Sequence, residues 1–196
     1  MIVVRLAKLL TPYLASVLGR ENLPKPPFIL AANHISPLDP GLLFAATQLP
    51  IHFLAAGHLF KRRWGFMRLY NELIVRHLGQ SIPTGPGSIA ECTRQLVAGG
   101  IIGIFPEGDI YPGLRRDEIH TGLAIIAQQA NVPIVPVRIE GSDLVWKFTE
   151  TFTPWRLHAV RVTIGVPISP HRQPLKGDVG KLFVTDVMQT IASFKV

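Results

Sequence analysis

One cysteine, Cys92, is the chain's whole supply of thiol in 196 residues. That excludes an intramolecular disulfide and any disulfide-stapled scaffold, and it sets the expectation of a reducing compartment. Charge is scarce as well. Only 17% of residues are charged against 47% hydrophobic, too apolar a balance for a disordered chain and enough for a single well-filled core. A membrane span is also missing, because roughly 20 uncharged apolar residues are needed and Arg5 and Lys8 interrupt the best candidate, residues 1–18. No secretory leader with a cleavage site is visible, so the sequence reads as cytoplasmic.

What is present points toward lipid. Residues 1–18 carry Ile2, Val3, Leu6, Leu9, Leu10, Tyr13, Leu14 and Val17 at helical spacing, the pattern of an amphipathic helix bent near Pro12. Such a helix either packs on the domain or lies in a membrane interface, and residues 19–196 then form the main domain. Bases outnumber acids 20 to 13 on an apolar background. That favours an anionic membrane over nucleic acid, whose modules carry denser Lys and Arg. The sharpest cluster, Lys61, Arg62, Arg63, Arg68 and Arg76 with Trp64, Phe66 and Tyr70 among them, is either a solvated face or a surface for lipid phosphates or an anionic cofactor.

Along the chain, short apolar runs alternate with helical periodicity. Residues 28–32, 51–56, 101–105, 133–140 and 159–166 read as strands, and 42–49, 65–78, 88–98, 118–130 and 178–194 as helices. Residues 79–87, with two Pro and three Gly, read as loop. This order predicts an α/β fold, one domain with a mostly parallel sheet covered by helices on both faces.

In open α/β sheets ligands bind outside the carboxyl ends of the strands, so the polar residues after Ala32 and Phe105 have priority. After Ala32 comes Asn33-His34-Ile-Ser-Pro-Leu-Asp39. Five residues are about 140° around a helix, so His34 and Asp39 meet only if the histidine lies in the loop and the aspartate in the first turn. Ser36-Pro37 and Asp39-Pro40 both read as a helix cap followed by proline. Either Asp39 simply caps its helix, or it accepts the Nδ1 proton of His34 and leaves Nε2 free as a general base. No G-x-S-x-G elbow is present, so the hydroxyl to be deprotonated belongs to a substrate rather than to a serine nucleophile. After Phe105, Pro106-Glu107-Gly108 is a turn that exposes an acid, either as a plain surface turn or as a site for head-group hydroxyls.

Together these blocks resemble the glycerolipid acyltransferases, the family of bacterial enzymes that acylate lysophosphatidic acid. The resemblance rests on Gly19-Arg-Glu-Asn-Leu-Pro24, on Asn33-His34 with Asp39, on Phe105-Pro-Glu-Gly108, on Thr121-Gly122 and on Val132-Pro-Ile-Val-Pro-Val137. It implies transfer of a fatty acyl group from a coenzyme A or acyl carrier protein thioester to the hydroxyl of a lysolipid or glycerol phosphate lipid, at the cytoplasmic membrane face. It implies no metal and no other cofactor. His34 becomes the general base, Asp39 its partner, and Glu107 with Gly108 acceptor-binding residues. The chain departs from the family where Thr-Arg-Ser usually follows the E-G pair, having Asp109-Ile110-Tyr111 instead. A block that commonly ends in Arg has Ile82-Pro83-Thr84, and a frequent Lys before Thr-Gly is His120. Arg115, Arg116 and His120 are then the candidates for an acceptor phosphate. The contrasting expectation is a catalytically weak lipid-binding module of the same fold.

Overall fold

The computed structural model describes residues 15–55, 81–111, 119–146, 153–170 and 177–194. The fold grows from one strand. β2, Phe28–Ala32, is an unbroken apolar run in which every residue is buried, as a strand in the middle of a covered parallel sheet must be. It pairs in parallel with β5, Ile101–Ile104, on one side and with β6, Ile134–Glu140, on the other. Beyond β5 lie β3, His52–Ala55, and the two-residue β4, Ile82–Pro83. Beyond β6 lie β7, Arg161–Ile164, and β1, Ser16–Leu18. Among the described residues the sheet order is therefore β1-β7-β6-β2-β5-β3-β4, parallel except where β6 meets β7.

Alternation along the strands splits the core in two. Phe28, Leu30 and Ala32 face α1, Asp39–Thr47, and α4, Ser142–Val145. Ile29 and Ala31 face α2, Ser88–Val97, α3, Gly122–Ala130, and the long closing helix α5, Gly177–Ser193. The expected mostly parallel sheet with helices on both faces is the one observed. Adjacent strands β2 and β5 send their chains to opposite faces, α1 on one and α3 on the other. Their carboxyl ends thus flank the crevice where α/β sheets hold ligands.

Two local expectations change. Residues 16–18 are not the end of an amphipathic helix but strand β1, held by parallel pairing with Arg161, Val162 and Thr163; residues 1–14 of that expected helix lie outside the described residues. The supposed loop 79–87 contains β4, which pairs with Leu54 and Ala55 at the sheet edge, a position where proline is tolerated. The helix expected at 65–78 and the Lys61–Arg76 cluster also lie outside the described residues. Two short 3-10 segments, Arg20–Asn22 and Pro154–Ala159, and helix α4 are additions that the periodicity did not indicate.

Cys92 sits on the inner face of α2, fully buried in the core against which α3 packs. Burial pushes its thiol up to about 11, so it stays protonated and sealed from solvent near neutral pH. The folded protein is expected to give no reaction with Ellman's reagent, and one equivalent after unfolding in guanidinium. Rapid labelling of the native protein would contradict this packing.

Candidate active site

The site begins where β2 runs out of sheet. Asn33 continues the β2–β6 ladder with its side chain: Nδ2 donates to the Ile139 carbonyl at 2.8 Å, and Oδ1 accepts the Ile139 N–H at 2.7 Å. This buried amide satisfies strand β6 and releases the main chain of His34 to turn. α1 then starts at Asp39 with Pro40 in its first turn. The start corrects the expected capping: Leu38 is the cap residue and makes no side-chain bond, while Asp39 is already helical and reaches back into the loop.

Four donors converge on that carboxylate. Oδ2 accepts His34 Nδ1 at 2.8 Å, the Ile35 N–H at 2.8 Å and the Ser36 N–H at 2.9 Å. Oδ1 accepts the Ser142 hydroxyl at 2.7 Å. Asp39 is wholly buried, and an acceptor so surrounded makes Nδ1 the protonated nitrogen of the imidazole. Nε2 is left with no partner among the described residues. The His34 side chain is 13% exposed, covered enough to be held and open enough to meet a substrate.

The ring also has a floor. Phe105 stacks on His34 with centroids 4.1 Å apart and planes 17° apart, and Phe53 continues the stack at 6.1 Å and 6°. Phe53 lies flat because its neighbour across the β3–β5 pair is Gly103, where a Cβ would come within 2.6 Å of the ring. Contacts of this kind contribute about 0.5–1.5 kcal/mol each and fix the imidazole plane, while Asp39 fixes its edge.

Across the crevice, β5 ends in Phe105-Pro106-Glu107-Gly108. Glu107 is buried, and its Oε1 accepts the His34 N–H at 3.4 Å. The Tyr111 N–H donates to the His34 carbonyl at 3.0 Å, so the two loops are bonded to each other. Gly108 has φ 74°, and His120 lies over it so closely that a Cβ would stand 2.5 Å from Nε2. The left-handed backbone favours glycine there. His120 is anchored through its N–H to the Pro106 carbonyl at 3.0 Å. The structure thus brings together His34, Asp39, Glu107, Gly108 and His120. Arg115 and Arg116 lie outside the described residues. At the departure from the family pattern, Asp109 accepts the Ile110 N–H at 2.8 Å and closes the turn.

Sequence reasoning missed Ser142. The rule that selected His34 and Glu107, a polar residue just after a buried strand, selects it too when applied to β6, which ends at Glu140. Gly141 makes the turn with φ 74°, and a Cβ there would strike the Ala159 carbonyl. The hydroxyl that follows is fully buried and spent on Asp39. Ser36, also buried, donates its hydroxyl to the Trp146 carbonyl at 2.7 Å. Neither serine is therefore a nucleophile in waiting, and a hydrolase triad is not what these residues build.

Ser142 instead helps hold the carboxylate that binds the His34 imidazole. Ser142→Ala is expected to lower kcat on the order of ten-fold with KM changed less than about two-fold, the scale of one hydrogen bond to a charged group. Ser142→Thr, which keeps the hydroxyl, should restore most of the rate. A lower melting temperature with kcat unchanged would reduce Ser142 to a packing residue.

Residues 15–140 match the family model described as Acyltransferase. The chain belongs to the acyltransferase family. It is 31% identical over 133 residues to 1-acyl-sn-glycerol-3-phosphate acyltransferase of Bacillus subtilis, a match covering 64% of this chain and 62% of that one. It is 30% identical over 133 residues to a probable enzyme of the same name from Mycoplasma pneumoniae, covering 64% and 49%. The chain thus matches about half to three fifths of the length of these two relatives. The crystal structure of the 1-acyl-sn-glycerophosphate acyltransferase PlsC from Thermotoga maritima superposes with a TM-score of 0.69 at 24% identity, over 99% of this chain and 79% of that one. At that identity the likeness is one of fold.

Proposed function

We propose that this acyltransferase-family protein is an O-acyltransferase that moves a fatty acyl group from a thioester, acyl-coenzyme A or acyl carrier protein, to the hydroxyl of a lysolipid or glycerol phosphate lipid. The observation that carries the reading is the imidazole of His34, bonded through Nδ1 to buried Asp39 at 2.8 Å with no partner for Nε2 among the described residues. The names of the relatives favour a 1-acylglycerol 3-phosphate acceptor.

The chemistry needs little more. A thioester is already activated, so the protein must align an alcohol, remove its proton and stabilise the tetrahedral oxyanion. The acceptor oxygen bonds to the acyl carbon while its proton moves to Nε2. Collapse of the adduct breaks the carbon–sulfur bond, and the same proton leaves with the thiolate. Asp39 stabilises the imidazolium between these steps. Glu107 and Gly108 stand opposite His34, where acceptor hydroxyls would be received, and the family resemblance makes His120, Arg115 and Arg116 the candidates for binding a phosphate.

No helix among the described residues is long and apolar enough to cross a membrane. We place the protein peripherally on the cytoplasmic face, where soluble thioester donors meet a lipid acceptor, with no metal or further cofactor in the reaction. Purified protein given acyl-coenzyme A or acyl carrier protein and a panel of lysolipids should release thiol with one acceptor class above the rest. Lipid binding without thiol release on any acceptor would leave the non-catalytic module.

A further inference from the structure

The segment between β6 and β7 faces two ways. Inward, it delivers Ser142 to Asp39 and the Trp146 carbonyl to Ser36. Outward, Leu144 is 46% exposed and Trp155 69% exposed. Trp155 belongs to the 3-10 turn Pro154–Ala159, which buries none of its residues and also carries Arg156 and His158. The turn is well braced. Thr153 Oγ1 donates to the carbonyls of Leu144 and Val145 at 2.8 and 3.0 Å, and His158 Nδ1 donates to the Trp155 carbonyl at 2.7 Å. A braced turn therefore holds a large indole in water, with Arg156 the next residue along it.

Topology decides where this indole stands. β7 runs antiparallel to β6, so the turn before it lies at the carboxyl edge of the parallel strands, the edge of His34 and Glu107. β1 is parallel to β7, and the Ser16 N–H donates to the Val160 carbonyl at 2.9 Å. The chain thus enters β1 from that same edge.

We propose that the Trp155 turn, with Leu144 and Arg156, is a seat for the surface of an anionic bilayer, and that it sets the mouth of the site against the lipid. The proposal rests on the acceptor being a membrane lipid. An indole is amphipathic and partitions into the headgroup layer, an exposed leucine goes with it, and an adjacent arginine meets lipid phosphate. Through Thr153 and α4 the seat is tied by hydrogen bonds to Ser142 and Asp39, so the face that meets lipid is braced against the catalytic pair.

The test is co-sedimentation of the full chain with vesicles of phosphatidylcholine, with and without phosphatidylglycerol. Trp155→Ser combined with Leu144→Ser should weaken partition roughly ten-fold or more, the scale of withdrawing one large side chain from an apolar phase. Trp155→Tyr should keep most of it, and Arg156→Gln should remove mainly the gain due to phosphatidylglycerol. Transfer to a short-chain, water-soluble acceptor should stay within about two-fold in the double variant. Unchanged partition of the folded double variant overturns the proposal. So does intact partition with loss of transfer from acyl carrier protein alone, which would assign the turn to the acidic carrier. Vesicle binding is read without turnover, so a protein that partitions as described yet transfers no acyl group leaves the seat standing and removes the enzymatic reading.

Discussion

His34→Ala is expected to lower acyl transfer at least ~100-fold, because a positioned general base contributes roughly 10²–10⁴-fold. The loss should fall on kcat rather than KM, since the imidazole takes its proton only as the acceptor attacks. The fold should survive. The side chain is partly open to solvent, its Nδ1 bond goes to a carboxylate that keeps three other donors, and Phe105 keeps its contact with Phe53. Thiol release beside a far-ultraviolet circular dichroism spectrum separates the two effects. Near-normal turnover in a folded variant would take His34 out of the mechanism.

Asp39 should behave differently, because it serves structure and chemistry at once. Asp39→Ala strands the Ile35 and Ser36 N–H groups, the Ser142 hydroxyl and His34 Nδ1. Each donor left unsatisfied in a buried site costs about 1–3 kcal/mol, so the sum is a large share of the ~5–15 kcal/mol that holds an ordinary domain together. A large fall in melting temperature is expected with the loss of activity. Asp39→Asn keeps the shape and one acceptor oxygen but turns an amide NH2 toward one set of donors. It should fold better than the alanine variant and still lose at least ~100-fold in kcat, because the tautomer and the imidazolium are no longer supported. Urea melts and steady-state kinetics on both variants check this. An asparagine variant with wild-type turnover would reduce Asp39 to a structural residue.

The contrast between the two predictions shows what was legible in sequence. Fully buried parallel strands announce themselves as apolar runs, so Phe28–Ala32 and Ile101–Ile104 could be read directly. His34 and Asp39 could be paired because Pro37 and Pro40 confine the turn between them, and Glu107 because it follows a strand end. Other parts depended on partners far along the chain. Val17 extends the helical spacing of residues 1–14, yet residues 16–18 are a strand because Arg161, Val162 and Thr163 offer them an edge. Ile82–Pro83 looks like loop until Leu54 and Ala55 pair with it. Ser142 follows a strand end as His34 and Glu107 do, but its hydrogen bond to Asp39, 103 residues away, is a long-range contact with no local mark. The packing of Phe53 against Phe105 requires Gly103 to admit its ring, a relation of register that no window of sequence contains.

At the centre of the proposed reaction is an alcohol that loses its proton and takes the acyl chain. Thiol release from acyl-coenzyme A, followed in parallel with a lysolipid and with the same lipid lacking its free hydroxyl, tests it most directly. Release is expected only with the hydroxyl-bearing lipid, matched mole for mole by a new ester. Release that continues at the same rate with the deoxy lipid would contradict it.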